Sequence, residues 1–439
     1  MRSPAAHSRI ALGLRTRSGN RAEGWMPACG EGIRPRQSKT VTERNPSLLR
    51  YLNCHRSLMV FLVVLMSTRF FRYLNPRTQF GDASMTHTSC TQPLHLRLDD
   101  PTRDRLATSL RDIVYPAAGF EAYVETIRAA FAPLTDAFAP VRAFLDEETP
   151  ADRRPGAIKI TNLPLSADIP KPPLDASALT RIDKPDYLSE NLLTAIASLF
   201  GEPYSMHCEG RGLVNNLIPT RTTSEQITGL GASSDLRFHA ENAALRFLTD
   251  RDCAPAALLL LGVAQEPTPP RTRLSDARAA LALVDPADRQ LLAQPLYAIK
   301  LPYRWRGYRT GYDTLSTRLV PLVEEDERGL VVHAAFYGDM IAHVVDAAAE
   351  RAARAFEAAL EEVSHDVIVS PGELIGIDNR TTLHARTPFR ATFDEEGRAR
   401  RWVQRLFVTK DLSTFADWDA PQQRVYAPRF EAVRPEAAE

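Results

Sequence analysis

Apolar residues at helical spacing dominate the first part of the chain that has the texture of a folded domain. Residues 102–132 contain two such stretches, separated by Tyr115-Pro116. Residues 157–164 read as a strand that a proline ends. After a loop rich in Pro, Asp and Ser, residues 186–200 again place apolar side chains on one helical face. The pattern therefore predicts a helical N-terminal layer around a single early strand.

Short apolar runs take over in the second half. The candidate strands are residues 213–218, 257–263, 329–336, 367–369, 373–378 and 401–409. One long helix, rich in Ala, Glu and Arg, is predicted over residues 341–363. This order favours an α+β fold with a mainly β core, a double-stranded β-helix (jelly roll) with packed N-terminal helices and a helical insertion. It argues against an alternating β-α sheet.

The N-terminal 84 residues differ in charge from the rest. They carry 14 Lys and Arg against four acidic residues, a net charge of +10, whereas the remainder has 40 basic and 50 acidic residues, a net charge of −10. We interpret residues 1–84 as a basic extension, disordered or upstream of a true start at Met85. Residues 85–430 are predicted to form one folded domain, and residues 431–439 a C-terminal tail.

An apolar run inside that extension needs its own interpretation. Leu58–Met66 is much shorter than the roughly 20 apolar residues that span a bilayer. It lies far from the N-terminus, and Arg69 and Arg72 follow it where a signal peptide would have a cleavage site. A targeting or anchoring segment remains the alternative to a non-native extension, and no membrane association is expected for residues 85–430.

Composition excludes several classes of protein. Hydrophobic residues make up 44% of the 439 positions and charged residues 25%, as in ordinary globular proteins. The acidic body gives no reason to expect a nucleic-acid partner. The five cysteines are widely spaced and form no Cys-x-x-Cys pair, which fits neither a disulfide framework nor a zinc ribbon. We therefore predict reduced thiols and a cytoplasmic location; the oligomeric state stays open.

His239-Ala240-Glu241 is the first candidate for chemistry. In an extended segment, residues i and i+2 share a face, so the imidazole and the carboxylate converge. His384 follows 145 residues later, after an apolar run and a polar turn. Two histidines and one carboxylate on one face of a metal form the non-haem iron(II) arrangement, which leaves positions open for a co-substrate and dioxygen. The alternative is an accidental surface pair, since an isolated His-x-Glu is common.

A second candidate is the strand Arg401–Val408, in which Arg401 and Arg405 share a face about 13 Å apart. If that face points inward, two buried guanidinium groups need anionic partners, and arginine suits bidentate binding of carboxylates. The two arginines could then hold one carboxylate of 2-oxoglutarate and one of a substrate. In the alternative, the arginine face points to solvent and Trp402 packs inward.

These motifs resemble the clavaminate synthase-like iron(II)/2-oxoglutarate oxygenases, and among them the arginine and asparagine 3-hydroxylases that act at Cβ of free amino acids. The resemblance covers about half of the chain. In order, its motifs are Leu199-Phe200-Gly201-Glu202-Pro203, Leu213-Val214, His239-Ala240-Glu241-Asn242, Phe336-Tyr337-Gly338-Asp339, Pro371-Gly372-Glu373-Leu374, Asp378-Asn379-Arg380 before His384, and Arg401-Trp402-x-x-Arg405.

The resemblance implies a role for each matching residue. His239, Glu241 and His384 would bind Fe(II), and Arg401, assisted by Thr272, would bind 2-oxoglutarate. The α-carboxylate of an amino-acid substrate would bind Arg405, with Asn215 and Asp339 as further substrate contacts.

Two departures from the family pattern bear on these roles. Arg398 stands at the family's usual distance from His384, and Arg401 lies three residues further on. Arg398 is therefore the rival, although the Arg-Trp-x-x-Arg pattern moves with Arg401. In the segment where arginine hydroxylases hold the guanidinium with two acids, this chain has Tyr337 and Asp339. Keeping only one acid weakens the case for arginine as the substrate.

The implied activity is hydroxylation of an unactivated C–H bond, at Cβ of a free amino acid or a derivative, with O2 as co-substrate and succinate and CO2 as co-products. Desaturation or oxidative cyclisation in specialised metabolism, including antibiotic biosynthesis, would use the same site. A non-catalytic jelly-roll protein that binds a metal or ligand is the alternative from another class.

Overall fold

The apolar faces predicted for the N-terminal helices pack together in the structure, a computed structural model. It describes residues 92–430 except 146–148, 150–153, 173, 175–181, 183, 224 and 226–229. The predicted extension with its apolar run, the start at Met85 and the C-terminal tail lie outside the described residues. Among the helices of the described part, none is long and apolar enough to cross a membrane.

Most helices precede or interrupt the strands in short pieces. They are α1 (Asp100–Leu110), α2 (Phe120–Phe131), α3 (Ala139–Leu145), α4 (Leu188–Phe200), α5 (His207–Gly210), α6 (Ala277–Leu283), α7 (Pro286–Leu292), α8 (Tyr303–Arg306) and α9 (Ala347–Glu362). The 3-10 helices of the described residues are Ala132–Phe138, Ala243–Arg246 and Leu412–Phe415. The Asp99 carboxylate caps α1 by accepting from the Thr102 amide, which fixes where that helix begins.

Sixteen strands are present in the described part of the chain. They are β1 (Leu94–Arg97), β2 (Ala157–Thr161), β3 (Glu202–Met206), β4 (Asn215–Leu217), β5 (Leu236–His239), β6 (Ala257–Ala264), β7 (Thr272–Asp276), β8 (Tyr297–Ile299), β9 (Val323–Asp326), β10 (Gly329–Val332), β11 (Ile341–Val344), β12 (His365–Val367), β13 (Leu374–Asp378), β14 (Thr382–Arg386), β15 (Trp402–Thr409) and β16 (Val425–Tyr426).

Two sheets carry the structure of the site. The larger has the order β1-β2-β13-β6-β15-β3-β16, with β4 also paired to β15. The smaller has the order β12-β7-β14-β5. The pairs β9–β10 and β8–β11 stand apart from both sheets. The prediction of an α+β fold with many short strands and packed helices is confirmed. The strands form several sheets, in which most pairs are antiparallel.

Strand β15 lies at the centre of the larger sheet, and all eight of its residues are buried. Its Trp402 and Gln404 side chains donate hydrogen bonds to the Asn216 side chain, at 2.9 and 3.2 Å. Gln404 also donates to Glu190 of α4, and Glu190 pairs with the ammonium of Lys184. These contacts join one face of β15 to α4, and the side chains of Arg401 and Arg405 point instead into the cleft on the other side.

The helix predicted over residues 341–363 is wrong at its N-terminal end. Ile341–Val344 pairs with β8 as a strand, and α9 begins only at Ala347. The cause is Asp346, whose carboxylate accepts from the amides of Ala348 and Ala349 and so caps the helix there. Strands β7 and β14 were not predicted, although β14 carries His384.

Replacing Lys184 with Met should destabilise the fold by about 3–5 kcal/mol, because it leaves the buried Glu190 carboxylate without a cation. Both side chains are at most 5% exposed. The matched control is Lys159→Met, which breaks the more exposed pair with Glu373 and should cost about 1 kcal/mol or less. Urea unfolding of the metal-free protein measures both, and equal losses would contradict the prediction.

Candidate metal centre and cleft

The two histidines face each other across neighbouring strands. His239 ends β5, and His384 lies in β14, directly opposite in the antiparallel register. Their ring centroids are 4.1 Å apart, and both side chains are buried. The Nδ1–H of His239 donates to the Arg237 carbonyl at 2.9 Å, which leaves the Nε2 lone pair available to a metal. Strand pairing therefore positions two of the three candidate ligands.

Glu241 joins them just beyond the end of β5. Its Oε2 is 3.6 Å from Nε2 of His384, and ligand atoms of all three side chains lie within 4.8 Å of one another. The backbone turns immediately afterwards at Asn242, which has a φ of 52°. The structure thus brings together the three residues singled out in the sequence, although the strand itself ends one residue before Ala240.

Asn379 holds the Glu241 backbone in place. Its side-chain oxygen accepts from the Glu241 amide at 2.7 Å, and its amide group donates to the carbonyls of Glu241 and Pro255 at 3.0 and 2.9 Å. Asn379 is buried in the turn between β13 and β14. It therefore ties the strand that precedes His384 to the carboxylate side of the site.

The protonation states of the site suit a cation. Burial, and secondly the neighbouring His384, lowers the pKa of His239 to about 3, so its imidazole is neutral at pH 7. Burial opposes ionisation of Glu241, but the Arg405 guanidinium, 3.3 Å from Oε1, and the two histidines hold the pKa of this carboxyl well below its usual range. A neutral imidazole and a carboxylate are the forms that bind metals.

Arg401 lies in the same cleft as these three residues, at the start of β15. Its side chain is buried beside the Phe389 ring, and its Nη1 has no hydrogen-bond partner among the described residues. Burial, and secondly the nearby Arg386, lowers the pKa of Arg401 to about 9, and the carboxylate of Glu266 offsets these effects only in part. Thr272, the first residue of β7, lines the cleft next to it. This end of the cleft is arranged to receive an anion.

Arg405 also lines the cleft, but it already has partners. Its Nη2 is 2.6 Å from Oε2 of Glu209, and its Nη1 reaches Glu241. Asn215 lies opposite it on β4, with its side-chain oxygen 3.5 Å from Nη2. Asn215 does not line the cleft itself, so the contact that the structure gives it is with Arg405 rather than with the open space.

Two other sequence candidates lie elsewhere. Arg398 pairs with Glu396 at 3.5 Å in a turn and does not line the cleft. Asp339 is half exposed, and its two carboxylate oxygens bind Lys300 and Arg306, each at 2.7 Å. The structure therefore brings neither residue to the metal site.

Several residues of the cleft were not singled out in the sequence: Glu209, Tyr303, Arg304 and Arg386. Glu209 is 3% exposed and binds three donors, from Arg405, Arg304 and the indole of Trp305. Arg386 lies two residues after His384, and its Nη2 donates to the Ser234 carbonyl at 3.0 Å. A signal for Arg386 was available, since residues i and i+2 of a strand share a face.

A larger cavity lies apart from this site. It measures about 410 Å³ and is lined by the ends of β6, β13 and β15, whereas the cleft at the metal triad measures about 80 Å³. Charged residues on the wall of the larger cavity include Arg246 and Asp252, which form an ion pair at 2.8 Å. The triad and the unpartnered guanidinium both belong to the smaller cleft, which we therefore take as the candidate active site.

A profile described as "Taurine catabolism dioxygenase TauD, TfdA family" matches residues 186–407, half of the chain. The matched span includes the triad and both arginines of β15. The chain belongs to the TauD, TfdA family. Membership confirms the resemblance drawn from the sequence motifs.

Relatives of this TauD-family chain are named amino-acid oxygenases. An enduracididine beta-hydroxylase of Streptomyces hygroscopicus is 26% identical over 49% of this chain and 66% of its own length. An L-ornithine/L-arginine 3-hydroxylase of Catenulispora acidiphila is 33% identical over 26% of this chain and 36% of its own length. The chain thus matches under two thirds of either relative.

A solved structure shares the fold. Asparagine oxygenase in complex with Fe(II), hydroxyasparagine and succinate superposes with a TM-score of 0.62, covering 76% of this chain and 99% of that one. Sequence identity in this comparison is 23%, so it establishes the fold of the TauD-family chain and leaves its substrate open.

Replacing Asn379 with Ala should weaken metal binding by about 10- to 100-fold, because the Glu241 backbone loses both of its side-chain contacts. Anaerobic titration with Fe(II) or Co(II) gives the Kd. The control is Asn162→Ala, which removes a hydrogen bond to the Leu98 carbonyl far from the cleft and should leave the Kd unchanged. Wild-type affinity in the Asn379 variant would show that Glu241 needs no such support.

Proposed function

We propose that the chain is an Fe(II)/2-oxoglutarate-dependent oxygenase that hydroxylates an unactivated C–H bond, at Cβ, of a free L-amino acid or amino-acid derivative. The observation that carries the proposal is the convergence of a buried His-Glu-His set and an unpartnered buried guanidinium on one cleft. The names of the relatives support the amino-acid substrate. Family membership supports the dioxygenase chemistry.

The donor set fits iron. His239, His384 and Glu241 supply two neutral nitrogens and one carboxylate oxygen on one side of a point, which leaves the other side open for co-substrate and dioxygen. Fe(II) with 2-oxoglutarate, when bound, supplies the oxidation of a C–H bond by dioxygen, with release of succinate and CO2. The chain itself positions the reactants and excludes water.

The cleft offers one arginine to the distal carboxylate of 2-oxoglutarate and another to the α-carboxylate of the substrate. In our proposal Arg401, with Thr272 beside it, binds the distal carboxylate of 2-oxoglutarate, which would end the isolation of a buried charge. Arg405, four residues along the same strand, binds the α-carboxylate of the substrate, and Asn215 orients that guanidinium. A bidentate guanidinium–carboxylate pair fixes direction as well as position.

Both histidines lie on the smaller sheet, with Glu241 just beyond the end of β5. Arg405 lies on the larger sheet, with Arg401 directly before β15. The two sheets fit a double-stranded β-helix, and we include that architecture in the proposal. A single oxygenase domain over residues 85–430 and a cytoplasmic location stay predictions from the sequence.

His239→Ala should abolish Fe(II) binding and succinate formation, because it removes one of three ligands. The assay is anaerobic metal titration, followed by succinate release from 2-oxoglutarate with Fe(II) and ascorbate. His343→Ala is the control, since this exposed histidine of β11 lies outside the cleft. Retained turnover in the His239 variant would refute the ligand assignment.

Arg401→Gln should raise the KM for 2-oxoglutarate by about 10- to 100-fold, the value of a charge-assisted contact of about 1.5–3 kcal/mol. Arg398→Gln removes a charge from the rival position and should change this KM little, because Arg398 pairs with Glu396 outside the cleft. The reverse ranking of the two variants would assign the co-substrate to Arg398.

A further inference from the structure

The charged side chains that line the cleft are unbalanced. Among the described residues they are four arginines and two glutamates: Arg304, Arg386, Arg401, Arg405, Glu209 and Glu241. The charges of Fe(II) and of the 2-oxoglutarate dianion cancel each other. Arg386 and Arg401 have nearby carboxylates outside the cleft lining, those of Asp235 and Glu266. Toward the substrate, Arg304 and Arg405 share Glu209, so an excess of one positive charge faces the space that is left, in surroundings where charges interact strongly.

Two arginines of this set, Arg304 and Arg386, have no role in the proposed function. Arg386 already donates to the backbone carbonyls of Gly231 and Ser234, which leaves Arg304 as the candidate for a contact with the substrate.

Arg304 lies in the short helix α8, between Tyr303 and Trp305, and its side chain is mostly buried. Its Nη1 is 3.2 Å from Oε2 of Glu209. It lines the cleft together with Tyr337, whose ring packs edge-on against the His239 imidazole at 4.9 Å. Arg304 is therefore linked to the triad by a chain of ion pairs that runs through Glu209 and Arg405 to Glu241.

The acids of the cleft do not offset this charge. Glu241 belongs to the metal triad, and Glu209 divides its single negative charge between Arg405, at 2.6 Å, and Arg304. When Arg405 takes the α-carboxylate of a substrate, Glu209 is left facing the α-ammonium group, and the zwitterionic head adds no net charge. Arg304 then remains as a cation for whatever the side chain presents.

Asp339, the one acid kept where arginine hydroxylases hold the guanidinium, is turned away from the cleft. Asp339 lies outside the cleft lining, and Lys300 and Arg306 each bind one of its oxygens at 2.7 Å. Arg306 also stacks on Tyr303, with its guanidinium carbon 3.9 Å from the ring centroid. This arrangement withholds from the substrate the carboxylate that a cationic side chain would need.

We propose that the substrate is an amino acid whose side chain ends in a carboxylate, that Arg304 binds this carboxylate, and that amino acids with cationic side chains are excluded. The inference rests on the proposed function and deepens it by naming the substrate class. In the reaction, one atom of O2 becomes the hydroxyl on the C–H carbon and the other enters succinate, as 2-oxoglutarate loses CO2.

The test is oxidation of free amino acids by the full-length enzyme with Fe(II), ascorbate and 2-oxoglutarate, followed by mass spectrometry for the gain of one oxygen. L-Aspartate and L-glutamate represent the carboxylates, L-asparagine and L-glutamine are neutral analogues of matched shape, and L-arginine, L-ornithine and L-lysine are the cations. We expect oxidation of a carboxylate substrate, with kcat/KM at least about tenfold above that of its amide. Preference for an amide or for a cation overturns the inference.

Variants assign the effect to Arg304. Arg304→Gln should raise the KM for the carboxylate substrate by about 10- to 100-fold, with a smaller change in kcat, and should narrow its advantage over the amide. Arg304→Lys should restore part of that advantage. Arg309→Gln, an exposed site in the same segment, is the control and should leave the KM unchanged. An unchanged preference in Arg304→Gln overturns the role of Arg304.

Failure of the two proposals can be told apart. Succinate formation that depends on Fe(II), without oxidation of any carboxylate amino acid, rejects the substrate class and leaves the oxygenase function standing. Absence of both metal binding and succinate formation rejects the proposed function, and the substrate class falls with it.

Discussion

The pairing of β14 with β5 is the constraint on which the site depends. Antiparallel register sets His384 opposite His239, so two residues 145 positions apart in the sequence meet through backbone hydrogen bonds. A slip of one residue in that register would turn one imidazole to the other face of the sheet. Asn379 then adds Glu241 by holding its backbone from the adjoining turn. Metal chemistry in this fold thus begins with strand pairing.

The second constraint is electrostatic. Burying guanidinium groups is costly, and β15 carries two of them on the face opposite its contact with α4. Arg405 is compensated by Glu209 and Glu241, whereas Nη1 of Arg401 lacks a hydrogen-bond partner within the described part of the chain. The rest of the core offsets the free-energy cost of burying the Arg401 guanidinium. The buried positive charge makes this end of the cleft suited to bind a dianion. The fold is therefore locally destabilised at the position where the proposed co-substrate binds.

Sequence reasoning reached the residues whose positions follow from local geometry. The convergence of the His-x-Glu pair and the alternation of Arg401 with Trp402 both depend on residues that are neighbours in the chain. Both features are present in the structure. It missed Glu209 and Arg304, because their ion pair joins positions 95 apart and exists only after folding. For Asp339 the expectation from the sequence is wrong. The resemblance implied a substrate contact, but the motif could not reveal that Lys300 and Arg306 bind the Asp339 carboxylate away from the cleft.

Because Arg401 and Arg405 lie four residues apart along one extended segment, its backbone fixes the distance between the two anionic groups of the proposed reaction. These are the distal carboxylate of 2-oxoglutarate and the α-carboxylate of the substrate. The spacing of the two arginines is set by peptide geometry, and pairing with strand β6 keeps β15 in position. The side chains beyond it, such as Arg304 and Tyr337, come from a short helix and a loop. Substitution of those residues, in evolution or by engineering, can therefore change which substrate is bound. The distance between the co-substrate and the head group of the substrate stays constant.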